Sequence, residues 1–259
     1  MMPRFDVNCS ILFTELPLLE RPAAAKAAGF DAVEFWWPFG ADPVPGDREI
    51  DAFVGALADA GVRLVGLNFI DLIPLGGRGL VSVPGEVTRF RDNIDVAVGI
   101  AERTGCKALN ALYGNRIEGE DPAKQDELAL ENLRLAAQAA AGIDAVVLVE
   151  ALNSIESPHY PIVDADHAVR VIEQTGEPNI RFLLDLYHLA RMGADLNRVI
   201  RTHAAHLGHV QIADAPNRGR PGSGELDFAE LFATLDEVGY GGWIGLEYKD
   251  PELDWTWIK

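Results

Sequence analysis

The stretch Ala145-Val146-Val147-Leu148-Val149-Glu150 decides how this chain is read. Five apolar residues, three of them valine, run straight into a carboxylate. A short β-branched run of this kind reads as a strand buried on both faces, as in parallel sheets. Its glutamate then lies at the C-terminal end of the strand, where parallel α/β folds collect their chemistry. The pattern returns three times. Residues 180–185 end in Asp185, 207–211 in Gln211 and 243–247 in Glu247, at successive steps of 35, 26 and 36 residues. Each step is about one strand–helix–strand unit. Four strands therefore bring an oxygen-bearing side chain to one rim.

Upstream, residues 5–10, 32–35, 63–68 and 107–112 read as four more strands. Helices are predicted over 47–60, 87–104 and 121–141, each followed by a glycine: Gly61, Gly105 and Gly142. Asp121-Pro122 is a cap followed by proline at the first helical position. A further helix is expected over 164–175; Asp195 caps the next, and Asp227 with Glu230 opens the last. Eight alternating units predict an α/β protein, a single (β/α)8 TIM barrel over residues 1–259 with its final helix short or missing. Neither a Gly-x-Gly-x-x-Gly turn nor a phosphate loop ending in Lys-Ser/Thr is present, which argues against dinucleotide and nucleotide folds.

The net charge of −18 repels phosphate backbones, so nucleic acid is not an expected partner. No apolar run approaches the roughly 20 residues of a membrane span, and Met1-Met2-Pro3-Arg4-Phe5-Asp6 lacks the apolar block of a signal peptide. Cys9 and Cys106 fit no metal-binding spacing and read as reduced thiols of a cytoplasmic protein. Trp255 and Trp257 in the tail hint at a subunit contact, hence a homo-oligomer; a tail folded inward accounts for them equally.

Glu150, Asp185, Gln211 and Glu247 are hard oxygen donors, which suits Mg²⁺ or Mn²⁺ better than Zn²⁺ or Cu²⁺. Such an ion would polarise the carbonyl of a small keto acid or ketose and stabilise an enediolate. Glu150 and Glu247 are the expected proton-transfer pair. A strand-end carboxylate can also simply cap a helix or pair with an arginine. Around these lie candidate substrate-binding residues: His188, three residues after Asp185; Arg218, in the loop after Gln211; Glu156, after Glu150; Lys249, two beyond Glu247; and Arg78, in the long glycine-rich loop 69–84, a candidate lid. Trp36 and Trp37 could wall the pocket. His203, His206 and His209 read as structural.

Several segments resemble the hydroxypyruvate isomerase family of xylose-isomerase-like barrels: Phe-Thr-Glu-Leu-Pro at 13–17, Ala-Gly-Phe-Asp-Ala-Val-Glu-Phe at 28–35, His-Val-Gln-Ile-Ala-Asp at 209–214 and Gly-Trp-Ile-Gly-Leu-Glu-Tyr-Lys at 242–249. The loop from Arg218 to Glu225 is similar to the family's Arg-x-x-Pro-Gly-x-Gly-Glu. The resemblance implies interconversion of hydroxypyruvate and tartronate semialdehyde, with Glu150 and Glu247 catalytic and Glu150, Asp185, Gln211 and Glu247 as metal ligands. Related ketose 3-epimerases, the alternative, usually carry histidine where Gln211 stands. After Glu150 many members read Pro-Ile-Asn-Pro-Arg-Asp; this chain reads Ala-Leu-Asn-Ser-Ile-Glu, so Ile155 replaces an arginine. A metal-dependent endonuclease would need a richer His/Asp cluster and a basic groove.

Overall fold

Parallel pairing runs in chain order through β1 (Arg4–Asn8), β2 (Ala32–Phe35), β3 (Arg63–Asn68), β4 (Ala108–Asn110), β5 (Val146–Glu150), β6 (Ile180–Asp185), β7 (Leu207–Ile212) and β8 (Trp243–Leu246), and β8 pairs with β1 to close the barrel. This computed structural model describes residues 3–258. Met1 and Met2, at the head of the N-terminal reading, and Lys259, the end of the tail, lie outside the described residues. The apolar runs form strands because both faces are buried: Val147, Leu148 and Val149 are all but inaccessible to solvent.

The crossovers are helical: α1 (Arg21–Ala27), α2 (Asp47–Ala60), α3 (Val87–Thr104), α4 (Pro122–Ala141), α5 (Ala165–Thr175), α6 (Leu186–Arg191), α7 (Leu196–His203) and α8 (Phe228–Glu237). Aspartates open several of them. Asp121, Asp164, Asp195 and Asp227 each accept a backbone N–H two or three residues on. Gly61 and Gly105 close α2 and α3 at φ 66° and 73°, a region only glycine enters freely. No described helix is long and apolar enough to cross a membrane. Both cysteines are free and buried.

Two details differ from the sequence reading, and a third decides between its two alternatives for the tail. The fourth strand stops at Asn110, although Ala111 still gives its N–H to Leu148 O at 2.9 Å. A short extra helix, α6, follows β6 directly, because Asp185 is itself its cap: Oδ1 accepts the N–H of His188 at 3.1 Å. The tail tryptophans fold inward. Trp255 packs edge-on to Phe30 with centroids 4.8 Å apart, and Trp257 meets Phe5 at 5.3 Å and gives its N–H to the Tyr248 hydroxyl.

The long loop after β3 is tied to the barrel. Asp71, buried, accepts N–H bonds from Trp37, Ile73 and the Asn68 amide. Gly79 N–H bonds Asp71 O and Gly114 N–H bonds Arg78 O, at 2.8 and 2.9 Å. Gly79 is obligatory: its φ is +86°, and a Cβ there would lie 1.9 Å from Leu112 O.

Candidate active site

At the C-terminal mouth of the barrel, one carboxylate oxygen each from Glu150, Asp185 and Glu247 and one ring nitrogen of His188 lie within 4.8 Å of one another, all buried. The strands set this up. Asp185 pairs in register with Gln211, and Gln211 with Gly245, two residues before Glu247; residues two apart on a strand share a face. Glu247 lies one residue past β8, and its N–H still bonds Ile212 O at 3.1 Å.

The carboxylates are held unequally. Glu247 Oε1 accepts the Trp36 indole N–H at 2.6 Å and the Asn8 amide at 3.1 Å, and Oε2 accepts Arg218 Nη2 at 2.6 Å. Glu150 accepts the Asn110 amide at 2.8 Å. Burial, then the charges of Glu247 and Asp185, push the Glu150 pKa well above its ordinary value. Burial and Glu247 lift Asp185 to about 8. Glu247 is raised by burial while Arg218 pulls the other way. Asp185 also caps α6 with one oxygen, so the cap reading holds for it, while its other oxygen faces His188.

His188 completes the cluster as a donor. Its Nδ1 accepts the backbone N–H of Asn153 at 3.1 Å, so in the neutral ring the proton sits on Nε2. Nε2 faces Asp185 Oδ2 at 3.6 Å and Glu150 Oε1 at 4.0 Å. Burial, with the charges of Arg218 and Arg78, depresses its pKa and keeps the ring neutral. A protonated Nε2 is a poor metal ligand.

Gln211 lines a small cavity beneath the cleft. Its Nε2 donates to Glu34 Oε1 at 2.7 Å, while its Oε1 is buried without a partner. Glu34 reaches across the barrel over Gly66 and Gly245; a Cβ at Gly245 would lie 2.7 Å from its carboxylate. It pairs with His209 Nε2 at 2.7 Å and accepts the Asn8 amide at 3.0 Å. Asp6 adjoins this pair, its two carboxyl oxygens without partners.

These donors fit a hard divalent cation. Three carboxylates that repel one another at close range and an orphaned amide oxygen are what such an ion would satisfy. Glu150, Asp185 and Glu247, grouped with His188, are the side chains that could hold one; Gln211 pairs in register with Asp185 on the next strand.

The other expected residues divide. Arg218, Arg78, Glu156 and His188 line the cleft, which encloses about 430 Å³ including its open mouth. Arg218, at φ +58°, stacks on Tyr187 and faces Glu156 at 3.7 Å. Its loop is organised by buried Asp214, which accepts N–H bonds from Gly222, Gly224 and Leu226. Burial raises Glu156, but Tyr187, Arg218, Asn153 and Lys249 together bring its pKa below the ordinary value. Lys249 is exposed and outside the cleft lining; it acts on Glu156 by charge alone. Trp36 lines the cleft, whereas Trp37 is core. His203 bonds Asp166 on the outer helices at 3.0 Å.

Sequence reasoning passed over Asn8, Glu34, Asn68 and Asn110. Three of these are asparagines that end β1, β3 and β4, the same strand-then-polar-tip signal carried by an amide instead of a carboxylate.

The family model of xylose isomerase-like TIM barrels matches residues 22–257. A Streptomyces coelicolor protein named "Putative hydroxypyruvate isomerase" is 58% identical, covering 98% of this chain and 95% of its own. The hydroxypyruvate isomerase of Escherichia coli K12 is 32% identical over 96% and 94% of the two chains. The 2-oxo-tetronate isomerase of Cupriavidus necator is 34% identical over 96% and 93%. A Brucella melitensis crystal structure, named AP endonuclease, family 2, superposes with a TM-score of 0.88 at 38% identity, over 96% of this chain and 94% of that one.

Proposed function

We propose that this chain, an isomerase that belongs to the xylose isomerase-like TIM barrel family, interconverts hydroxypyruvate and tartronate semialdehyde or acts on a close keto-acid relative. The observation that carries the reading is the convergence of Glu150, Asp185 and Glu247 in one buried cluster. In this reaction a proton leaves C3 and one arrives at C2, while the O3 proton passes to O2. The keto group becomes a hydroxyl, and C3 becomes an aldehyde.

The residues suit each transfer. Hydrogen bonds from Arg218, Trp36 and Asn8 oppose the rise that burial gives the Glu247 pKa, whereas Glu150 is pushed well above its ordinary value. The pair thus offers one proton acceptor and one proton donor, as neighbouring carboxyls with split titrations do. The Nε2–H of His188 stands ready to donate to a substrate oxygen. Bound Mg²⁺ or Mn²⁺ would supply polarisation of the keto oxygen and charge balance for the enediolate.

Two other readings are weaker. Ketose 3-epimerisation would use the same glutamate pair, but Gln211 stands where those enzymes carry histidine. Endonuclease activity, suggested by the name of the Brucella protein, is opposed by the −18 net charge, which disfavours a polyanion.

The deciding experiment incubates the protein with hydroxypyruvate and a panel of four- to six-carbon ketoses, with and without Mn²⁺ or Mg²⁺. Formation of the aldehyde from hydroxypyruvate is expected. Epimer formation from a ketose with no aldehyde would replace this reading by the epimerase one.

A further inference from the structure

We infer that Arg78 is the residue that binds the substrate's carboxylate, making the cleft selective for keto acids over uncharged hydroxyketones. This deepens the keto-acid reading above and rests on it. Two arginines line the cleft. Arg218 is already neutralised, 2.6 Å from Glu247 and 3.7 Å from Glu156. Arg78 is not: its side chain bonds only the Ser157 hydroxyl at 2.7 Å and the Gly77 carbonyl at 2.6 Å. Among the described residues no carboxylate lies within ion-pair distance of it, in a chain with almost twice as many acidic as basic residues.

That cation is presented rather than loose. The backbone is pinned on both sides, by Gly77 N–H to Leu72 O and by Gly114 N–H to Arg78 O. Gly79 beside it fits only as glycine. Arg78 lines the same cleft as Glu150, His188 and Glu247. A guanidinium with open donors, fixed at the rim of a carboxylate-rich cleft, meets a planar anion two donors at a time. Ile155, which replaces the family's arginine, is 60% exposed and outside the cleft lining. Arg78 thus supplies the lining with a carboxylate-binding cation from the β3 loop.

The test compares hydroxypyruvate with dihydroxyacetone, the same hydroxyketone with a hydroxymethyl group in place of the carboxylate. Affinity for each is measured by titration calorimetry, and turnover by product formation, on the full chain with Mn²⁺ present. Arg78→Met is expected to raise Kd and KM for hydroxypyruvate by about 10- to 100-fold, leave kcat within about threefold, and leave dihydroxyacetone unaffected. Arg78→Lys should recover part of the loss. Equal losses for both ligands, no loss for hydroxypyruvate, or an unmodified protein that binds hydroxypyruvate no better than dihydroxyacetone would each overturn the assignment. If the unmodified protein binds hydroxypyruvate selectively without converting it, the reaction is wrong, and Arg78 is still judged by the change in Kd.

Discussion

Gln211 gives its side-chain N–H to Glu34 Oε1 over 2.7 Å, and its carbonyl oxygen is left buried and unpaired. Because an ionised carboxylate only accepts, the amide cannot turn round without losing this bond. Glu34 is therefore a positioning residue for Gln211. Through the Asn8 amide, which bridges Glu34 and Glu247, it also steadies Glu247.

Glu34→Gln lets the amide reverse and spend its oxygen on the new donor. Mn²⁺ affinity, read by calorimetric titration, should fall about 10- to 100-fold, the usual cost of losing a residue that orients a ligand. Affinity within about twofold of the unmodified protein would remove Gln211 from the ligand set.

Glu150→Gln and Glu247→Gln should each lower kcat by at least about 10³-fold. Neither should unfold the protein. At position 150 a neutral amide stands in for a carboxyl whose charged form is disfavoured by burial and by neighbouring carboxylates, so the melting temperature should hold or rise. Near-normal turnover in either variant contradicts the assigned proton-transfer roles.

Cation binding should strengthen as pH rises. The folded-state pKa values of Glu150 and Asp185 lie above their ordinary values, Asp185 at about 8, so below that pH a cation must displace protons. Mn²⁺ affinity is expected to climb by up to ~10-fold per pH unit for each proton displaced, with the Asp185 share of that rise ending above about 8. The sign for stability is opposite. These raised values stabilise the cation-free fold below the unfolded pKa, and that contribution is lost as pH rises through the folded value. Added Mn²⁺ should therefore raise the melting temperature more at pH 8.5 than at pH 6. A flat profile would show that these carboxyls neither take up protons nor hold the ion.

Gly79→Ala forces a Cβ against Leu112 O at a backbone angle alanine avoids. We expect a loss of about 3 kcal/mol or more in urea unfolding, or a displaced loop with weakened substrate binding. An unchanged midpoint together with unchanged KM would mean that the loop is not anchored there.

The barrel was legible because its strands are buried on both faces, leaving unmistakable runs such as Val146–Glu150, and because Gly61 and Gly105 mark where helices must stop. The carboxylate tips were legible for the same reason: a charge ending an apolar run has few places to go. Glu34, placed at the exit of the second strand, was not counted as a site residue, because only Gly66 and Gly245, far away in sequence, reveal the space it needs. Asn68 and Asn110 end their strands in a neutral amide, and at a strand end asparagine reads as a turn residue. The helix α6 was hidden because its cap, Asp185, reads first as a strand-tip ligand. The inward fold of Trp255 depends on Phe30, a partner that no local pattern names.

Asp185 has one consequence beyond its own contacts. With Oδ1 accepting the first turn of α6, Oδ2 is the oxygen that faces His188 in the cavity. A helix start thereby favours one-point attachment by this carboxylate. Calcium favours two-point carboxylate grips and a large, crowded shell, whereas magnesium and manganese accept six single contacts. A backbone hydrogen bond in an ordinary helical turn thus biases which ion the barrel would accept.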